Sequence, residues 1–328
     1  MRIPVCLLAF FTALTLSAFD FSPYERIVCF GDSITHGGYY HMYLQQYFAE
    51  NDPGHPRRFI NRGINGNRVS QLLERVDSML QQDKPDLVMI LIGTNDLLCA
   101  AEKFAEKDLP FREALEKYPV FRKFEAEFEQ LLERFNQAGV SVVVLSTPPY
   151  NESKNPKVTA WLDANMNSSG VRNLLPIEER LAWEKGAAWI DIYTPMLKNL
   201  QDNDAGMPRW ERDRVHPSKS EHLLIAQTIL GRKWIPGKAK AAAAEKYRQA
   251  QEGVEEILFY NYYYVPSSCK TAEEKIAYYR QWVSSFKGWE HDYWNERLPG
   301  IIEQVKDPEG QLRKQYRKCD EAFAELYK

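Results

Sequence analysis

Short apolar runs of β-forming residues alternate with amphipathic helical patterns from residue 26 to about residue 230. This alternation is typical of a parallel sheet with helices on both of its faces. The predicted strands span 26–31, 57–61, 86–92, 140–146 and 187–192. The third and fourth of these are apolar almost throughout, as expected of central strands that are covered on both sides. The sequence therefore predicts an α/β fold, a flavodoxin-like three-layer α/β/α arrangement around a mainly parallel five-stranded sheet.

Two helical patterns between these strands carry apolar stripes. One stripe consists of Phe121, Phe124, Phe128, Leu131 and Phe135, and Gly139 stands where the C-terminal cap of that helix is expected. The other stripe consists of Val69, Leu72, Leu73, Val76 and Leu80. We interpret both stripes as packing against the sheet rather than as ligand contacts.

The composition changes near residues 234–237, where the β-type runs stop. An Ala/Lys/Glu-rich helical stretch follows, and after it come the aromatic run 259–264 and two further helical segments. We therefore expect an α/β domain over 19–236 and a C-terminal α-helical appendage over 237–328. The aromatic residues of this appendage either pack against the α/β domain, which we favour, or stack on sugars.

Two capping signals mark helix starts within the appendage. Thr271 and Glu274 form a capping box ahead of an apolar stripe. Asp307 and Pro308 open the last helix with a capping side chain and a first-turn proline.

The first 18 residues have the pattern of a secretory signal peptide. Arg2 precedes an apolar run over 3–16, and the small residues Ser17 and Ala18 offer a cleavage site. An uncleaved membrane anchor is the alternative, but the run is shorter than the roughly 20 residues that span a bilayer. We expect cleavage after Ala18, a secreted or periplasmic protein, and no integral membrane span after the signal is removed.

The charge balance bears on possible partners. With 42 basic and 45 acidic side chains, the formal net charge is -3, which gives no electrostatic reason to expect a nucleic-acid partner. The sequence leaves the oligomeric state open.

Four cysteines remain outside the predicted signal, and export would permit disulfides. Cys29 lies in an apolar strand and is expected to be a buried free thiol. A bond between Cys269 and Cys319 is possible, and the sequence does not decide it. No cysteine or histidine spacing matches a metal site, so we predict no metal and no cofactor.

A serine directly follows the first predicted strand, in the run Phe30-Gly31-Asp32-Ser33-Ile34-Thr35. Open α/β sheets bind ligands at the carboxyl ends of their strands, where helix N-terminal N–H groups stabilise negative charge. Taken alone, Ser33 is more simply explained as a helix cap than as a nucleophile.

Three other loops offer partners for this serine. Residues 61–67 contain glycines that can turn a backbone N–H inward, and Asn95 follows the third strand with a side-chain amide. Asp213 and His216 stand near the end of the α/β region. Because loops at the carboxyl ends of parallel strands meet at one edge of the sheet, we expect the four loops to converge.

These four blocks resemble, in order and separation, those of the SGNH (GDSL-type) hydrolase family, and the resemblance covers roughly residues 24–230. It implies that Ser33 is the nucleophile, that His216 is the general base and that Asp213 orients the imidazole. It also implies an oxyanion hole made of the backbone N–H groups of Ser33 and Gly66 and the side-chain amide of Asn95.

Asp32 and Asp96 lie beside this constellation, and we interpret both carboxylates as structural groups that hold loops through backbone N–H groups. For the remaining histidines we expect surface or packing roles. They are His36, His41, His55, His222 and His291.

The resemblance implies ester hydrolysis through an acyl-enzyme, and export favours an acetylated glycan or another small ester as the substrate. Tyr150 and Trp161 in the loop 148–172, together with Asn67, are candidate substrate contacts, although a plain polar surface loop is equally compatible. A lysophospholipase or thioesterase is the alternative enzyme. A non-catalytic glycan-binding protein is a further alternative, which the complete constellation disfavours.

Overall fold

The computed structural model describes residues 18–100, 109–150, 168–202, 215–266 and 268–328. Its sheet has five strands, all parallel, in the order β2-β1-β3-β4-β5. They are β1 Arg26–Gly31, β2 Arg58–Gly63, β3 Leu87–Leu91, β4 Ser141–Leu145 and β5 Ala188–Ile190. All five predicted strands are present, with bounds that differ by at most two residues.

Helices cover both faces of this sheet. The helices of the α/β region are α1 Ser33–His36, α2 Tyr39–Asn51, α3 Val69–Asp83, α4 Thr94–Leu98, α5 Phe111–Lys117, α6 Pro119–Gln137, α7 Ser168–Glu184, α8 Tyr193–Asp202 and α9 Lys219–Ile229. On β1, Val28 and Phe30 pack with α3, α6 and α7, whereas Ile27 and Cys29 pack with α2, α8 and α9. The alternation of side chains along the strand thus builds two cores, and the predicted three-layer arrangement is confirmed.

The two apolar stripes behave as predicted. The phenylalanine stripe of α6 is buried against the sheet, and the stripe of α3 packs into the same core. Helix α6 ends in a Schellman motif, in which Gly139 has φ 69° and the N–H of Val140 donates to the carbonyl of Phe135 at 3.1 Å.

The C-terminal region is helical throughout most of its length. It consists of α10 Lys238–Leu258, a π-helical turn Phe259–Tyr263, α11 Ala272–Ser284, α12 Trp289–Lys306 and α13 Pro308–Leu326. The predicted caps at Thr271 and Asp307 are present. Helix α12 was not predicted, because Pro299 and Gly300 inside it disfavour a helix locally. Burial of Ile301 and Val305 stabilises this helix in the structure.

Helix α10 docks on the open edge of the sheet. Strand β2 ends the sheet on one side, and the Gln251 side chain accepts from the N–H of Asn61 (2.6 Å) and donates to the carbonyl of Phe59 (2.9 Å). The hydroxyl of Tyr247 donates to the same carbonyl at 3.2 Å. The helix therefore pairs backbone groups that an edge strand would otherwise expose.

The four cysteines that the structure describes are free thiols. Cys29 and Cys319 are buried, Cys269 is half-buried and Cys99 is exposed, so the possible bond between Cys269 and Cys319 is not formed. No helix within the described part of the chain is long and apolar enough to cross a membrane. The predicted signal peptide lies outside the described residues, apart from Ala18.

Candidate active site

Ser33 begins α1, directly beyond the carboxyl end of β1. The buried carboxylate of Asp32 caps this short helix and accepts from the N–H of Ile34 at 3.0 Å. The Ser33 side chain is half-buried. Asp32 thus has the structural role expected of it, and it holds the turn that carries the serine.

His216 reaches this serine from the far end of the α/β region. Its Nε2 lies 2.8 Å from the Oγ of Ser33, across 183 positions of sequence. His216 is exposed as a whole residue. The distance and atoms are those of a hydroxyl whose proton a neutral imidazole can accept. Asp213 lies outside the described residues, so its role stays a prediction.

The loop after β2 packs against the Ser33 turn. The N–H of Ile64 donates to the carbonyl of Gly31 at 3.1 Å, and Gly66 has φ 78°, a conformation that favours glycine. At Gly63, an added Cβ would lie 2.1 Å from the backbone nitrogen of His36. Only a glycine allows this close approach of the two loops.

Asn95 in α4 is the third member of the predicted oxyanion hole. Its Nδ2 donates to the backbone carbonyl of Asn67 at 3.1 Å and lies 3.4 Å from the Oδ2 of Asp32. Its side chain is half-buried. The amide is therefore held between the Ser33 turn and the loop after β2, and the four predicted loops meet as far as the structure describes them.

Burial alters the protonation of the two nearby carboxyl groups. Desolvation raises the pKa of Asp32 to about 7, although the hydrogen bond from Ile34 and the charge of His216 oppose it. Desolvation likewise raises the pKa of Asp96 to about 7, and this carboxyl accepts from the N–H of Val69 at the start of α3. Asp96 thus also holds a loop, as predicted.

The predicted substrate contacts are less accessible than expected. Tyr150 is 4% exposed and packs in the core that α3, α6 and α7 share. Asn67 is 6% exposed, and its side chain is bound inside the protein. Little of either side chain remains for a substrate, and Trp161 lies outside the described residues.

The half-buried His36 and the buried His41 and His222 have packing roles, as expected. Nδ1 of His36 lies 3.1 Å from the carbonyl of Gly63, and Nε2 of His41 lies 3.2 Å from that of Thr35. Burial lowers the pKa of His41 to about 4 and that of His222 to about 3. Within the described ranges, no group of three or more His, Cys, Asp or Glu side chains is arranged to hold a metal ion.

Sequence reasoning missed one residue, Arg75 of α3. It binds the side chain of Asn67 and the carbonyl of Gly31, at the base of two of the converging loops. A signal was present, because Arg75 occupies a position on the apolar face of α3 next to Leu72 and Val76, where a charged side chain is unexpected.

Comparisons with known proteins found similar sequences and similar folds. The model of the GDSL-like Lipase/Acylhydrolase family matches residues 29–222. An acetylxylan esterase from Geobacillus stearothermophilus is 28% identical over 181 residues, which are 54% of this chain and 74% of the relative.

Among solved structures, a gut microbial diltiazem-metabolizing enzyme matches with a TM-score of 0.73 at 14% identity. The match covers 93% of this chain and 94% of the chain of that enzyme. The similarity of fold therefore extends into the C-terminal helices. An acetylxylan esterase structure from Geobacillus stearothermophilus has a TM-score of 0.49 at 23% identity, over 65% of this chain and 97% of that one.

Proposed function

This chain belongs to the GDSL-like lipase/acylhydrolase family, and from that premise we propose that it is a secreted serine esterase that removes O-acetyl groups from carbohydrate. Membership makes it a carboxylic ester hydrolase. The observation that carries the assignment of the nucleophile is the 2.8 Å contact between His216 Nε2 and Ser33 Oγ. An isolated serine hydroxyl is a poor nucleophile near neutral pH and needs such a base.

In the proposed reaction, His216 takes the proton of Ser33 as Oγ attacks the acyl carbon. The tetrahedral intermediate collapses to an acyl-enzyme when the imidazolium returns the proton to the departing alcohol oxygen. A water molecule then attacks the acyl carbon and gives a proton to His216. The second tetrahedral intermediate collapses as the imidazolium returns this proton to the Oγ of Ser33, and acetic acid leaves. Asp213 would stabilise the imidazolium.

The negative charge of the intermediate would be stabilised by the N–H groups of Ser33 and Gly66 and by the amide of Asn95. Nδ2 of Asn95 donates to the Asn67 carbonyl at 3.1 Å and makes a longer contact with Oδ2 of Asp32 at 3.4 Å, so the hydrogen of the longer contact would turn from Asp32 to the oxyanion. Donors that are held in place before the reaction stabilise the charge without reorganisation.

Two observations support an acetylated carbohydrate as the substrate. The relative from Geobacillus stearothermophilus is an acetylxylan esterase, and the N-terminal segment of this chain has the pattern of an export signal, which favours an extracellular polymer or its fragments. If the signal is cleaved after Ala18, N-terminal sequencing of the secreted protein should begin at Phe19.

The nucleophile is tested with a fluorophosphonate probe followed by peptide mapping. We expect the label on Ser33, and we expect Ser33→Ala to lose both labelling and hydrolysis of p-nitrophenyl acetate while its circular dichroism spectrum is unchanged. Ser284→Ala, which removes an exposed hydroxyl on α11, is the matched control. Full activity of Ser33→Ala would exclude Ser33 from the mechanism.

The substrate class is tested separately by comparing acetate release from acetylated xylan with hydrolysis of a series of p-nitrophenyl esters. A preference for acetate over chains of eight or more carbons is expected (roughly tenfold or more in kcat/KM). A clear preference for long chains would instead identify a lipid-directed hydrolase.

A further inference from the structure

A single buried arginine joins two of the loops that form the candidate active site. Arg75 is 4% exposed; its Nε donates to Oδ1 of Asn67 at 2.9 Å and its Nη2 donates to the carbonyl of Gly31 at 3.0 Å. Gly31 precedes Ser33 by two residues, and Asn67 directly follows Gly66. The same guanidinium therefore holds the bases of the nucleophile turn and of the loop after β2.

The partners of Arg75 are unusual for a buried cation. Within the described part of the chain they are a carbonyl and an amide oxygen rather than carboxylates, and Nη1 is buried without a hydrogen bond. By contrast, the buried Arg62 binds the carboxylates of Asp83 and Glu255. Burial lowers the pKa of Arg75 to about 10, so the side chain is still charged at neutral pH. An apolar side chain would fill this core position at lower cost.

Two aromatic rings lie beside this guanidinium, and the charges of Glu255, Asp83 and Arg62 also act on it. Its central carbon lies 4.2 Å from the ring centre of Phe30 and 5.6 Å from that of Tyr263. Phe30 belongs to β1, whereas Tyr263 belongs to the π-helical turn that follows α10. A tyrosine of the C-terminal helical region thus lies beside the arginine that holds the base of the candidate active site.

The connection continues to the third predicted oxyanion donor. The backbone carbonyl of Asn67, whose side chain Arg75 holds, accepts from the Nδ2 of Asn95. The Gly31 carbonyl, which Arg75 also holds, accepts from the N–H of Ile64 in the loop that leads to Gly66. Arg75 therefore holds a group near each predicted donor. The Gly31 carbonyl lies two residues before Ser33, and Asn67 directly follows Gly66. Asn95 is reached through its hydrogen bond to the Asn67 carbonyl.

We infer that Arg75 is a positioning residue for the oxyanion hole, and that Tyr263 of the C-terminal helical region holds its guanidinium in place. The inference rests on the proposed function of Ser33, Gly66 and Asn95. Displacement of reacting or stabilising groups by about 1 Å can reduce the rate roughly 100-fold. Loss of the two hydrogen bonds that Arg75 donates, to Asn67 and to the Gly31 carbonyl, should therefore lower kcat more than it changes KM.

The test compares Arg75→Met and Arg75→Lys with Arg58→Met, which removes an arginine of β2 that pairs with Asp320 on α13. Hydrolysis of p-nitrophenyl acetate is measured at least 10 °C below the melting temperature of every variant. We expect kcat to fall about 10- to 100-fold in both Arg75 variants, with KM changed less than about threefold, because lysine cannot bind both oxygens as a fork. Arg58→Met should keep the wild-type kcat.

A double-mutant cycle tests the route through Asn67. If Arg75 acts through this side chain, Asn67→Ala alone lowers kcat, and adding Arg75→Met then has an effect several-fold smaller than in the wild type. Additive effects of the two substitutions on the activation free energy derived from kcat would show that Arg75 does not act through Asn67. Should Arg75→Met not fold, Arg75→Lys and Asn67→Ala decide the question by the same split between kcat and KM.

The role of Tyr263 is tested by comparing its alanine variant with that of the neighbouring Tyr262. Tyr263→Ala should lower kcat, whereas Tyr262→Ala, whose ring is half-exposed beside Lys275, should not. Equal kcat values in wild type, Tyr263→Ala and the Arg75 variants would overturn the inference.

The fluorophosphonate probe distinguishes failure of the proposed function from failure of the inference about Arg75. If the wild-type protein is not labelled at Ser33, the proposed function fails. If it is labelled and the Arg75 variants react at the same rate, the inference about Arg75 alone fails.

Discussion

Replacing Arg62 with methionine would break the buried ion-pair cluster that ties α10 to the sheet. Arg62 is 2% exposed and donates to both carboxylate oxygens of Asp83 at 2.7 Å and to Oε1 of Glu255. Asp83 ends α3, and Glu255 lies on α10 in the C-terminal region. Methionine fills a similar volume but leaves two buried carboxylates without their cation.

The expected cost follows from this arrangement. Removing one partner of a buried ion pair typically costs about 3–5 kcal/mol, because the remaining charge stays desolvated. Folded proteins are stable by only about 5–15 kcal/mol, so the variant should fold but with a large loss. For a protein of this size, about 4 kcal/mol corresponds to a melting temperature that is lower by roughly 6 °C.

The loss should depend on pH. Burial raises the pKa of Glu255 to about 7, and Arg62 opposes this shift, so removing Arg62 raises that pKa further. A carboxyl with a higher pKa in the folded than in the unfolded state, where it is about 4.3, binds a proton on folding and loses stability as the pH rises. The deficit of Arg62→Met should therefore be larger at pH 8 than at pH 5.

Differential scanning calorimetry at both pH values measures these quantities. Arg58→Met is the control, because the partner Asp320 is largely exposed and such surface pairs contribute little; its melting temperature should change by less than about 2 °C. Equal melting temperatures of Arg62→Met and Arg58→Met at pH 8, or a deficit of Arg62→Met that grows towards pH 5, would refute this account.

Two further predictions concern loops that follow the strands β3 and β4. Asn95→Ala should lower kcat by about 100- to 1000-fold with a small change in KM, as typical for loss of one oxyanion donor, in steady-state kinetics with p-nitrophenyl acetate; a kcat within threefold of wild type would exclude the amide from the hole. Glu178 of α7 accepts from the N–H of Thr147 at 3.1 Å, and burial raises its pKa to about 8. Because this folded-state pKa exceeds the unfolded value, wild-type stability should fall as the pH rises from about 4.5 to 8. Glu178→Gln should lose that part of the pH dependence. The melting temperature of the variant minus that of the wild type should therefore be roughly 5 °C larger at pH 9 than at pH 5. Melting temperatures of the two proteins that change in parallel with pH would contradict the raised pKa of Glu178.

The elements of the fold were largely predictable because their signals are local. Apolar runs specified the five strands to within two residues, and periodic stripes specified α3 and α6. Helix α12 was missed because Pro299 and Gly300 oppose a helix locally, and only packing of its apolar side decides the outcome. The capping signals at Thr271 and Asp307 were reliable since a cap involves neighbours in sequence.

The residues of the candidate site likewise differ in whether local sequence signals could predict them. Ser33, Gly66, Asn95 and His216 could be proposed from motifs at strand ends, because topology brings the carboxyl ends of parallel strands to one edge. The burial of Tyr150 and Asn67 could not, since the exposure of a loop side chain depends on how the loop packs.

By itself, the sequence determined a three-layer α/β fold, a helical C-terminal region, and a serine with its candidate partners at one edge of the sheet. The tertiary structure decided that His216 lies within hydrogen-bond distance of Ser33, that Gln251 covers the edge of β2, and that Arg75 joins two loops with Tyr263 beside it. The reason is physical: periodicity and capping are interactions between residues close in sequence. A contact across many positions depends instead on packing of the whole chain, which no local pattern encodes.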